Sequence, residues 1–240
     1  MAPLPQLSAR SVALSFLLGA PEGRLAVRDL LAMGEMCGVA PQTMRVALSR
    51  LVGAREVSAS EGVYTLSPHH LERLRAQERD IAPRLTRWDG TWETVIVVES
   101  GRDATDRARL RADLTAARLA ELREGVWMRP ANLDRPRFRD PHTTALLTTP
   151  DHPEQILAAL WDIDAWAKTG HDLLVAAAGP ELNGRRLAAV AALVRQLRTD
   201  PALPDDLIPN DWPADAMRAA YAEYRSQLHA HHLRTEGALA

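Results

Sequence analysis

At 240 residues, 46% apolar and 25% charged with a formal net charge of -2, the chain is long enough for two or three compact units and too apolar for a disordered protein. It carries no overall positive charge to draw it to nucleic acid, so any such binding has to come from a local patch. Its single cysteine, Cys37, excludes an internal disulfide and a multi-cysteine metal site, and no apolar run reaches the roughly 18 residues of a membrane span, so a cytoplasmic protein without a signal peptide is expected.

The first predicted element is a helix from Ser8 to Gly19, in which Val12, Leu14, Phe16, Leu17 and Leu18 supply the floor of a small core. A second helical segment runs from Leu25 to Cys37, with Val27, Leu30, Leu31 and the small Gly34 along one side and Gly38 as its cap. The third opens with Pro41 at its first position and continues to Val52. Three-and-four spacing puts Met44, Ala47, Leu48 and Leu51 on the core side of this helix. Its opposite side collects Gln42, Arg45, Val46 and Ser49, flanked by Thr43 and Arg50.

Those are groups that read nucleic-acid edges. An amide bridges adenine, a guanidinium bridges guanine or grips phosphate, and a small apolar side chain touches the thymine methyl. Two helices about a glycine-containing turn predict a helix-turn-helix. The alternating runs Glu56 to Ala59 and Val63 to Leu66, around Ser60, Glu61 and Gly62, predict a hairpin that serves as its wing. Gln42, Thr43, Arg45, Val46, Ser49, Arg50 and Arg55 are therefore the candidate DNA-binding residues, with Thr43 and Arg55 on phosphate. A plain helical hairpin with a solvated face fits the same pattern. Residues 1–90 hold eleven arginines against nine acids, so each subunit offers few phosphate contacts and two copies are favoured.

Ser67 and Pro68 predict the cap and first turn of a polar connector helix to about Ile81. A second domain begins near Arg87, where Trp88 to Trp92 lead into a β-branched strand over Glu93 to Val98. A helix from Asp103 to about Leu122, strands over Gly125 to Arg129 and Thr143 to Thr148, an arginine-rich loop between those strands, and a helix from about Pro153 make up most of a ferredoxin-like unit. The sixth element of that unit is not evident. Further helices are predicted over Glu154 to Ala167, Asn183 to Arg198 and Ala214 to about Leu228, with a proline-pinned connector from Asp200 to Pro213.

Several segments together resemble the PaaX family of bacterial transcriptional repressors. They are Met44 to Val52, Gly62 to Leu66, the run Arg87-Trp-Asp-Gly-Thr-Trp92, Gly125 to Pro130, and Asp200 to Pro204 with Leu207 to Pro213. The resemblance implies an α+β protein: a winged helix-turn-helix over 1–67, a connector over 68–86, a ferredoxin-type middle domain over 87–152 like that of small CRISPR-associated nucleases, and a helical C-terminal domain over 153–240. It further implies a homodimer on a palindromic double-stranded operator, with no cofactor and no membrane, that releases DNA when an aryl-acetyl coenzyme A thioester binds. The chain departs from the family pattern at the wing tip, where Glu61 stands in place of a basic residue, and at Ala214, where glycine is usual.

Trp88, Trp92, Trp127 and Arg129 are the candidate effector-binding residues, since aromatic faces suit an aryl group and a guanidinium suits phosphate. Each tryptophan fits a core position equally well. Arg135, Arg137 and Arg139 line a loop that suits phosphate or plain solvation. The alternative function is a metal-dependent nuclease of the same middle fold, with Glu99 at the end of the first strand as its acid.

Overall fold

The computed structural model describes residues 6–98 and 103–237. These fall into two compact units, one made of residues 6–82, 168–199 and 213–237 and the other of residues 83–98, 103–167 and 200–212.

The first unit begins with α1 (Ala9–Gly19), whose N-terminus is closed by the Ser8 hydroxyl accepting from the Ser11 N–H at 3.2 Å. Val12, Ala13, Phe16 and Leu17 are buried. Next comes the short strand β1 (Arg24–Ala26), then α2 (Val27–Met36) and α3 (Pro41–Gly53). The sequence predicts helix from Leu25; residues 24–26 are strand instead, because they pair antiparallel with β3 and bury Leu25 in doing so. Gly34 lets α2 approach α3 closely, since a Cβ there would come within 2.7 Å of Met44 Cε. Gly38, at φ 75°, makes the turn between the two helices.

The strands β2 (Val57–Ser60) and β3 (Val63–Leu66) form a hairpin, and β1 completes a three-stranded sheet in the order β1-β3-β2. Glu61 and Gly62 both have positive φ, the geometry of a tight two-residue turn that matches strand twist. The helix α4 (Pro68–Ile81), capped by Ser67, lies within this unit and packs on α8 (Gly184–Arg198), which is capped by Asn183. The last helix, α9 (Ala214–Gly237), extends nine residues past the end expected at Leu228 and packs along α8.

The second unit holds β4 (Trp92–Val97), α5 (Ala104–Ala116), β5 (Ala120–Arg123), β6 (Val126–Pro130) and β7 (Thr143–Thr148). Its sheet runs β5-β6-β4-β7, all neighbours antiparallel. This is the strand order of a split β-α-β unit with the second crossover helix replaced by the loop between β6 and β7. The predicted helix to Leu122 ends six residues early: Arg118 adopts φ 60°, and the residues after it are claimed by pairing with β6. Val95, Leu110, Leu114, Leu119 and Trp127 form the core between α5 and the sheet.

The single helix expected over 154–167 is two, α6 (Pro153–Leu160) and α7 (Ile163–Ala177). Trp161 is extended between them, and the Asp162 carboxylate accepts from the Ala165 N–H at 3.0 Å to start the second helix. The connector over residues 200–212 returns to this unit, where Trp212 stacks on Trp166 at 4.3 Å between ring centroids.

Candidate nucleic-acid interface

The helix α3 has no side-chain N-cap; Pro41 at its first position supplies a preset φ and leaves one fewer amide to satisfy. Met44, Leu48 and Leu51 are essentially fully buried against α1 and α2, which fixes how the helix is rotated. That rotation turns Gln42, Thr43, Arg45, Val46, Ser49 and Arg50 outward, and all six are exposed. Arg55 follows at φ 57°, where the chain leaves the helix for β2, and is exposed as well.

No acidic residue stands on α3. Among the described residues, no hydrogen bond or ion pair engages the guanidinium of Arg45, Arg50 or Arg55. Three exposed cations and an amide, on α3 and just after it, are thus uncommitted to the protein and able to donate to phosphate or base edges. The hairpin tip adds no cation: Ser60, Glu61 and Gly62 are exposed there, so the positive surface belongs to α3 and its C-terminal exit.

The effector candidates sit otherwise. Trp88 is half-buried and donates its indole N–H to the Thr91 carbonyl at 2.7 Å. Trp92 is fully buried, and Trp127 lies in the sheet core beneath the Arg111 guanidinium, which stands 5.4 Å from the ring. Arg129 is fully buried and its donors are committed: Nε to the Pro130 carbonyl at 2.9 Å, one amino nitrogen to the carbonyls of Arg118 and Pro201, the other to Asn132 Oδ1 at 2.8 Å and the Ala202 carbonyl at 3.1 Å. Burial, then the nearby cations Arg135 and Arg118, push its pKa down to about 9. Trp92, Trp127 and Arg129 are thus buried within the second unit, where Arg129 pins the chain about Pro201 and Ala202. Arg135 is likewise spent, on the buried Glu93 carboxylate at 3.0 Å, while Arg137 and Arg139 remain exposed beside β7.

Among the described residues no cluster of three histidine, cysteine, aspartate or glutamate side chains is arranged to hold a metal. Glu99, which the nuclease alternative needs, lies outside the described residues. No described helix is long and apolar enough to cross a membrane.

Comparison with known proteins adds three findings. Residues 85–140 match the model of the PaaX protein central Cas2-like domain, and residues 184–234 match that of the PaaX-like protein C-terminal domain. A solved structure, of the uncharacterized protein Rv0674 from Mycobacterium tuberculosis, is 40% identical in sequence with a TM-score of 0.82, covering 92% of this chain and 95% of that one. No curated protein matches.

Proposed function

The chain belongs to the PaaX family, and on that premise we propose that it is a DNA-binding transcriptional regulator whose residues 1–67 form a winged helix-turn-helix and whose α3 enters the major groove. The observation that carries this reading is the outward, uncommitted face of Gln42, Arg45 and Ser49, with Arg50 and Arg55 at its flank. In this reading Gln42, Arg45, Val46, Ser49 and Arg50 face the groove, while Thr43 and Arg55 hold phosphates. Residues 68–86 connect this domain to a middle domain over 87–152, and residues 153–240 form the C-terminal domain.

The finer reading is a cytoplasmic homodimeric repressor on a palindromic operator, released by an aryl-acetyl coenzyme A type effector. Two arguments favour the dimer. A chain of net charge -2 with few cations on α3 gains the phosphate contacts it needs by doubling them. In addition, β7 is an edge strand with Leu146 and Leu147 42% and 49% exposed, a surface suited to a second copy.

The test is a gel-shift titration of the full chain against DNA flanking its own gene, over a series of salt concentrations and with and without magnesium. Sequence-specific retention that weakens steeply with salt supports the regulator. Cleavage in the magnesium arm, or no retention of any flanking fragment, rejects it.

A further inference from the structure

Within the first unit, α1, α4, α8 and α9 wall a cavity of about 280 Å3. Its lining is apolar and polar in similar measure; the apolar part comes from Leu18, Leu187, Val190, Val194 and Leu228, the last four each at most 8% exposed. Three arginines, Arg195, Arg198 and Arg225, also line it. Arg198 faces the Asp80 carboxylate at 3.8 Å, and Arg225 donates to Glu78 at 2.9 Å. Arg195 is exposed, and among the described residues no ion pair or hydrogen bond engages it. A cavity with an apolar side and, opposite in character, one uncommitted cation suits a molecule that has an apolar body and an anionic head. The volume of about 280 Å3 falls just below the range of ligand sites, roughly 300 to 1,000 Å3, so the body is a single ring or a short acyl chain.

The walls bear on α3 from two sides. α1 contributes Ser15, Leu18 and Gly19 to the cavity and packs directly on α3. α8 lines the cavity along most of its length, and its first residue, Gly184, rests on the turn between α2 and α3: a Cβ at 184 would come within 2.9 Å of the Cys37 carbonyl oxygen. A ligand that spreads α8 from α1 therefore acts on both supports of α3.

We propose that this cavity is an effector site for an organic anion with a small apolar body, and that occupancy changes how α3 is presented. The site stands on the cavity and Arg195 alone; its coupling to DNA rests on the reading of α3 as the DNA-contacting helix. A free carboxylic acid and its phosphate-bearing thioester share the required chemistry.

The test uses the full chain and anilinonaphthalene sulfonate, an aromatic anion that fluoresces on leaving water. Saturable binding of one dye per chain is expected, displaced by either free aryl and alkyl carboxylates or their coenzyme A thioesters, whichever is the source. Val190→Trp fills the cavity and Ala191→Leu narrows it, and each should weaken binding about tenfold or more, the milder change serving where the larger prevents folding. Arg195→Ala should weaken it by about fivefold to tenfold, with Arg195→Lys restoring most of the loss. Absence of saturable binding, or affinity unchanged in the folded cavity variants, overturns the site. Gel shifts on the same samples separate the two ideas: dye binding without any DNA binding upholds the site and rejects the regulator, whereas DNA binding indifferent to saturating ligand rejects the coupling.

Discussion

Gly184 sits so close to Cys37 that a single added methyl group would meet the Cys37 carbonyl oxygen at 2.9 Å and its Cα at 3.3 Å. Both obstacles are backbone, so neither can swing aside as a long side chain would. Gly184→Ala should force apart the N-terminus of α8 and the turn that precedes α3, costing about 1 to 3 kcal/mol of stability. In urea the midpoint should fall with the slope unchanged. DNA affinity should change too, because that turn sets where α3 stands. Unaltered affinity in a destabilised but folded variant would show that α8 does not steer the helix.

On α3 itself, neighbouring positions should separate binding from folding. Arg45 is exposed and uncommitted, so Arg45→Ala should leave the circular dichroism and melting temperature in place while weakening the operator complex by about 1 to 3 kcal/mol. Leu48 is wholly buried, and Leu48→Ala should instead destabilise the fold by about 2 to 5 kcal/mol. Arg55→Ala, on a phosphate contact, should weaken binding to all sequences alike and reduce the salt slope by about one. A loss at Arg45 that is equally uniform across sequences would reassign that residue from base to phosphate.

The helix faces were legible because they follow local rules. Met44, Leu48 and Leu51 recur at helical spacing, and burial of that stripe sets the outward direction of Gln42 and Arg45. The hairpin followed from alternation around Glu61 and Gly62, whose positive φ values suit the turn. What failed to show locally was imposed by distant partners. Ala120 to Arg123 continues the helical pattern of α5 and has no β-branched residue, yet pairing with β6 makes it a strand. Leu25 looks like the start of a helix until Tyr64 stands opposite it across the sheet. Arg129 carries no mark in the sequence that separates a phosphate-binding arginine from a buried clamp; the acceptors that take up its donors, the carbonyls of Pro201 and Ala202, stand some 70 residues on. The cavity in the first unit is equally non-local, since Leu18, Gln77, Val190 and Leu228 meet there from four separate helices.

That clamp makes a prediction of its own. Arg129 and Asn132 both donate to the Ala202 carbonyl, at 3.1 Å each, and hold a residue whose φ is 52°. Arg129→Met keeps much of the volume but removes the buried donor of the Arg118, Pro130 and Pro201 carbonyls and of Asn132 Oδ1, and leaves the Ala202 carbonyl to Asn132 alone. A loss of about 3 to 5 kcal/mol is expected, as when one partner of a buried charged network is removed. Arg129→Lys should recover little of it, since one ammonium cannot span the same set of acceptors. If the methionine variant binds anilinonaphthalene sulfonate as the wild type does, Arg129 has no part in ligand recognition; if affinity falls in the folded variant, the residue is more than a clamp.

Acid should loosen the base of the hairpin in a way that one carboxylate explains. Glu56, just before β2, accepts from Arg10 of α1 at 2.5 Å and lies 3.3 Å from His70 of α4. The Arg10 hydrogen bond, outweighing the effect of burial and aided by the charges of Arg10 and His70, holds the carboxyl below its ordinary range. A folded-state value lower than the unfolded one means that the stabilisation is complete above about pH 4.5 and is lost as pH falls through the folded value. Because the Arg10 side chain is 55% exposed, solvent screening limits the contribution to about 1 kcal/mol. Glu56→Gln should therefore melt at a lower temperature than the wild type near pH 6, by a few degrees, with the gap closing toward pH 3. A gap of the same size at pH 3 would mean that the contact acts through packing and hydrogen bonding rather than charge, and Arg10→Met, which removes the partner cation, should then behave differently from Glu56→Gln.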